Sequence, residues 1–158
     1  MIQLLEKISN DHAIVICKKA IENFGEAIQK VVAMEECSEL IQALIDFKNG
    51  NSHNVEEEIA DVEIICTQLE IMHNADKIKE FDRRAFAIEP NKITDSAIKS
   101  LAMLIQSISK SLRDKGNNVE VYISNVKALC KMLRIISNET KIEEIKQQKL
   151  ERLKVVVW

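Results

Sequence analysis

Three glycines, one proline and 4% aromatic residues in 158 are too few to make the turns and packed faces of a β-sandwich or barrel. Cysteine is scarce in pattern as well as number. Cys17, Cys37, Cys66 and Cys130 include no C-x-x-C pair, which removes the spaced-thiol zinc and redox motifs. At least two lie on apolar helix phases, so they are expected to be reduced core residues of a cytosolic protein, with a catalytic thiol as the alternative. No apolar run approaches the roughly 18 residues of a membrane span, and the amino terminus lacks the basic-then-apolar order of an export signal. A cytoplasmic protein with no membrane partner is expected. With 22 Lys+Arg against 25 Asp+Glu and a net charge of -3, no basic surface invites duplex nucleic acid.

What is present is 46% hydrophobic and 30% charged residues, the composition of an all-α helical bundle, long enough for one domain over 1–158 with a real core. The few breakers mark helix ends. Gly25 separates an amino-terminal helix from the segment Glu26 to Asn49, Gly50 closes that segment, and Gly116 closes a later one at Lys115. Asn54 with Glu57 resembles a capping box. Pro90 reads as the one clear linker, with Thr94 and Asp95 as caps beyond it.

Four acids stand out. Glu36 with Glu39, and Glu58 with Asp61, are i,i+3 pairs inside apolar segments, and residues three apart share a helix face. At about 100° per residue, Glu36 projects between Ala43 and Phe47, and Glu58 between Ile65 and Leu69, both on the apolar side. Asp61 flanks the same arc, whereas Glu35 and Asp46 fall on the polar side. An uncompensated buried carboxylate costs several kcal/mol. Two such helices packed together would converge four carboxylates that repel one another unless a cation sits among them. Oxygen ligands without Cys or His favour Mg²⁺, with Mn²⁺ next, over zinc. The plain alternative is that these acids face water, as most do.

A shift of 64 residues brings Val55-Glu56 onto Val119-Glu120, and the register holds to Glu80 on Glu144. Identities include Ile59/Ile123, Val62/Val126, Cys66/Cys130, Leu69/Leu133, Asn74/Asn138 and Lys77/Lys141. Shared apolar phase is cheap; shared Asn and Lys favour tandem duplication. The acids are not copied: Glu58 becomes Tyr122, Asp61 becomes Asn125, Glu36 becomes Ser100 and Glu39 becomes Met103. The halves are 1–90, which carries the carboxylates, and 91–158, a degenerate unit packed where a second subunit would sit in a dimer. Its last segment is basic, through Lys141, Lys146, Lys149, Arg152 and Lys154. Lys149 and Arg152 share a face suited to phosphate oxygens; a solvated charged helix is the alternative.

The run Met34-Glu35-Glu36-Cys37-Ser38-Glu39-Leu40, then Glu57-Glu58-Ile59-Ala60-Asp61-Val62, resembles the MazG-like all-α nucleoside triphosphate pyrophosphohydrolases, whose motif reads E-E-x-x-E, a short gap, then E-x-x-D. The end Glu144 to Leu153 looks like the basic closing helix of small phage-type members. The resemblance implies Mg²⁺-dependent cleavage between the α and β phosphates of a (deoxy)nucleoside triphosphate, in nucleotide-pool house-cleaning, by a homo-oligomer with a dimer favoured. It implies Glu36, Glu39, Glu58 and Asp61 as metal ligands. Lys149 and Arg152 would contact phosphate, Gln29 and Lys30 the substrate, and Glu35 would orient or deprotonate the attacking water. In one departure, about 65 residues separate the second motif helix from the basic one, the span of the degenerate copy.

Two rivals belong to other classes. A di-iron bundle needs two Glu-x-x-His motifs, and only Glu70 to His73 qualifies, since His12 and His53 lack the preceding Glu. The other is a catalytically inactive helical interaction module using the apolar end Val155-Val156-Val157-Trp158.

Overall fold

A computed structural model of the chain describes residues 7–73, 88–114 and 118–158. Within them the chain forms α1 (Asn10–Phe24), α2 (Glu26–Lys48), α3 (Val55–Met72), a 3₁₀ turn (Pro90–Lys92), α4 (Ile93–Leu112), α5 (Val119–Ile136) and α6 (Glu139–Val157), with no strand. The all-α expectation therefore holds for the described residues.

Local chemistry sets the helix ends. The Ser9 hydroxyl accepts the His12 amide at 3.1 Å to open α1, and the Asn138 side chain accepts the Lys141 amide at 3.0 Å to open α6. Gly25, at φ 89°, turns the chain from α1 into α2, and Gly50, at φ 73°, follows the end of α2. Both take a backbone conformation that a Cβ disfavours. Two expected caps are not formed. Asn54 makes no side-chain cap bond; its amide turns to Glu58 instead, so the box with Glu57 is absent. Thr94 and Asp95 lie inside α4, whose N-cap position is Lys92, because the 3₁₀ turn at Pro90 runs directly into the helix. Lys115 and Gly116 lie outside the described residues, as do Asn74 and Lys77.

The hairpins α2–α3 and α4–α5 pack face to face, α2 on α4 and α3 on α5, as a four-helix bundle, and α1 and α6 cover α3 from outside. Leu40, Leu44, Ile59, Leu69, Leu101, Leu104, Ile108, Ile123 and Leu133 are fully enclosed in the bundle, each worth about 1.5–3 kcal/mol of burial. A smaller cluster of Ile8, Ile16, Cys17, Ile64 and Leu150 seats α1 and α6 on α3. Arg134 of α5 adds a lock: its guanidinium lies 2.6 Å from both Glu63 oxygens and 2.9 Å from Glu143, while Lys146 lies 3.2 Å from Glu63.

Three helix limits of α4 and α5 fall 64 positions beyond those of α2 and α3, while α4 begins at Ile93, 67 beyond Glu26. α5 spans Val119–Ile136, 64 positions beyond Val55–Met72, and α4 ends at Leu112, 64 beyond Lys48. Asn54 and Asn118 precede their helices with nearly the same backbone angles, φ -124° and ψ 39° against φ -114° and ψ 38°. All four cysteines are free and buried. Cys66 lies close enough to Cys130, 64 positions on, to raise its pKa, burial being the larger cause.

Candidate metal centre

Glu36 on α2 and Glu58 and Asp61 on α3 meet where the two helices pack, each offering a carboxylate oxygen within 4.8 Å of the others. The helical phase achieves this: Glu58 is 6% exposed, and Glu36 and Asp61 are half-buried. At that spacing each ionised pair repels by about 3 kcal/mol at an effective dielectric near 20. The pKa values follow. Glu36 is raised to about 7, first by burial and then by Asp61, Glu39 and Glu58. Glu58 is raised to about 7 by burial, Asp61, Glu39 and Glu57, against a hydrogen bond from Asn54. Burial also holds Asp61 above its ordinary value, although Lys149 pulls it down.

The hydrogen bonds divide the oxygens into held and free. Asn54 Nδ2 donates to Glu58 Oε1 at 2.7 Å, and Lys149 Nζ lies 2.9 Å from the Asp61 carboxylate and 3.4 Å from Glu57 Oε1. Glu36 Oε2 and Glu58 Oε2 are buried without a partner. Buried acceptors are seldom left so, and the three carboxylates, when all ionised, leave two negative charges against one ammonium, the complement of one divalent ion. All the donors are oxygens, which suits Mg²⁺ or Mn²⁺. Glu36, Glu58 and Asp61 thus fit the ion that the motif implies.

The remaining candidates are placed as follows. Glu39 is exposed at the rim, outside the three clustered acids, yet its charge raises the pKa of each. Glu35 is exposed on the polar side of α2. Lys149 meets the acids from α6, whereas Arg152, one turn on, is exposed. Gln29 is buried and Lys30 half-buried, about 10 Å along α2 from Glu36. Lys30 lies near His73 at the far end of α3, whose pKa falls through burial and then the Lys30 charge. His73 is therefore remote from the acids, and Glu70 pairs with Lys127 at 2.6 Å, so the Glu-x-x-His pattern builds no ligand pair. In the second half Tyr122 packs against the bundle core.

Two site residues escaped the sequence reading. Asn54 had a visible signal, its i,i+4 spacing to Glu58, but the capping pattern offered a competing use for its amide. Glu57, which shares Lys149, had none, because that contact spans 92 residues. A separate cleft of about 920 Å³ opens on another face of α3, lined in part by Cys17, Glu63, Lys127, Arg134 and Leu150; it does not touch the acid cluster.

No protein-family model, no curated protein and no solved structure matches this chain.

Proposed function

We propose that the chain is a Mg²⁺-dependent nucleoside triphosphate pyrophosphohydrolase. The observation that carries this reading is the pair of unpartnered buried oxygens on Glu36 and Glu58 beside Asp61, met by a lysine from the closing helix. Glu36, Glu58 and Asp61, with Glu39 at the rim, would hold a divalent cation, which would neutralise phosphate charge and make the attacking water more acidic. The protein needs no covalent nucleophile. Lys149, and Arg152 beside it, donate to phosphate oxygens that the ion leaves exposed. Gln29 and Lys30 lie further along the same helix, toward the part of the substrate beyond the phosphates. Glu35, exposed on the outer side of α2, would orient a water molecule. Attack by that water forms a new bond to the α phosphorus and releases a proton to solvent, while the bond to the bridging oxygen breaks and pyrophosphate leaves with the electron pair.

The matching limits of α3 and α5, the matching ends of α2 and α4 and the similar Asn54 and Asn118 backbones support a tandem duplication, with α4 and α5 as a degenerate copy of α2 and α3. Proximity of Cys66 to Cys130, 64 positions on, is what a two-fold relation between the copies would give. The copy then serves as a built-in partner that contributes α6 to the acids of the first half. Exposed Ile28 and Val31, three apart on α2, suit the homodimer expected in addition.

The test is a panel of ribo- and deoxynucleoside triphosphates, assayed for pyrophosphate and for orthophosphate with Mg²⁺ and with EDTA. Metal-dependent pyrophosphate from at least one substrate is expected, abolished in Glu58→Gln. Orthophosphate alone, or no product with any substrate, sinks the reading.

A further inference from the structure

Lys149 does something in the acid cluster besides wait for phosphate. Its side chain is 17% exposed and reaches across from α6 to Asp61, 20% exposed, and Glu57, 53% exposed. Glu57 and Asp61 are one turn apart on the same face of α3, so one ammonium bridges an inner acid and an outer one. Burial alone would lower its pKa, but Asp61 and Glu57 outweigh burial and raise it. The unpartnered oxygens, in contrast, belong to Glu36 and Glu58. The cluster is thus already partly neutralised from within, on the side that α6 covers.

A divalent ion drawn to Glu36 and Glu58 would also draw on Asp61, whose oxygen lies within 4.8 Å of theirs. It would then share that carboxylate with an ammonium 2.9 Å away, and two cations on one carboxylate repel. Glu57 offers the ammonium somewhere to go: it is already 3.4 Å distant, more exposed, and leads outward along α3.

Resting on the metal reading above, the geometry points to Lys149 as an exchangeable counter-ion: it holds Asp61 until a divalent cation enters, then moves outward to Glu57, where its ammonium faces an incoming polyanion. The same side chain therefore sets metal affinity and couples the closing helix to metal occupancy. Because the coupling is reciprocal, the Lys149–Asp61 contact weakens metal binding by the same factor by which bound metal weakens the contact. A phosphate-binding lysine with no other duty would leave metal affinity alone.

The test uses the metal alone, with no nucleotide. Free Mn²⁺ is titrated by electron paramagnetic resonance against wild type, Lys149→Met and Lys146→Met, the last removing a cation that pairs with Glu63 instead. Lys149→Met should bind Mn²⁺ about tenfold more tightly, within the range of such couplings, and Lys146→Met should match wild type. Wild-type protein labelled with ¹⁵N-lysine, followed through a Mg²⁺ titration, gives a second readout that needs no folded variant. The Lys149 ammonium signal should move with metal occupancy. Equal or weaker Mn²⁺ binding by Lys149→Met, or a Lys149 signal unmoved while metal binds, overturns the exchange and leaves the metal site standing. Failure of wild type and Lys149→Met alike to bind Mn²⁺ overturns both.

Discussion

Asn54 and Glu58 define the polarity of the acid cluster: the Asn54 amide holds Glu58 Oε1 at 2.7 Å, which leaves Oε2 buried and unpartnered on the carboxyl group that meets Glu36 and Asp61. A residue placed to cap a helix instead aims a carboxylate. Such outer partners of metal ligands commonly contribute 10- to 100-fold in affinity. Asn54→Ala should therefore weaken Mn²⁺ binding by about that factor while the helices stay intact by circular dichroism, since no cap bond is lost. Unchanged affinity would mean that the amide does not position Glu58.

The pH dependence of stability tests the crowding of the acids. The Glu36 and Glu58 carboxyls have folded pKa values of about 7 against an ordinary 4.5, so between these values the folded state binds more protons than the unfolded one. Stability in EDTA should then fall as pH rises from about 5 to 7.5, and the gain from Mg²⁺ should grow over the same window as protons leave the ligands. Melting curves in EDTA and in Mg²⁺ across that range give both. A metal-free melting temperature that rises with pH, in both wild type and Glu58→Gln, would place the pH response elsewhere.

What the sequence disclosed was phase. Apolar periodicity placed Glu36 and Glu58 on the inner side of their helices, and Gly25 and Gly50 marked helix ends where the backbone takes positive φ. It did not disclose competition between partners. The Asn54 amide had two uses within one helical turn, and packing chose Glu58. Thr94 and Asp95 had capping chemistry, yet the 3₁₀ turn at Pro90 already brings the chain into α4. Contacts between distant segments were the least legible: basic spacing on α6 suited phosphate, but nothing in it told Lys149, at Asp61, from Lys146, at Glu63 on a different side of α3.

Arg134 supplies a structural contrast to the site. Its guanidinium side chain is 13% exposed and Glu63 14%, and Glu63 holds its pKa well above the ordinary value in spite of burial. Removing Arg134 leaves Glu63 with Lys146 alone at 3.2 Å, so the cost stays below the roughly 3–5 kcal/mol of a charge left fully unpaired. Arg134→Ala should lower the melting temperature by at most about 20 °C for a chain of this size, with Mn²⁺ affinity of the folded protein unchanged. A shift below a few degrees would show that α6 is held without this network.

Arg152 is exposed one turn beyond Lys149. A charge-assisted contact to phosphate contributes on the order of 1.5–3 kcal/mol, so Arg152→Ala should reduce kcat/KM by roughly ten- to a hundred-fold and leave metal binding without nucleotide unchanged. Wild-type turnover in both Arg152→Ala and Lys149→Ala would remove the closing helix from phosphate binding.

The claim on which the rest depends is that Glu36, Glu58 and Asp61 hold a divalent cation. Anomalous scattering from crystals soaked in Mn²⁺ tests it most directly. The expected result is a peak bonded to these three carboxylates at about 2.0–2.2 Å, none between Ser100 and Asn125 in the second half, and the Lys149 ammonium displaced from Asp61 toward Glu57. A featureless site in millimolar Mn²⁺, with Lys149 still on Asp61, would contradict it.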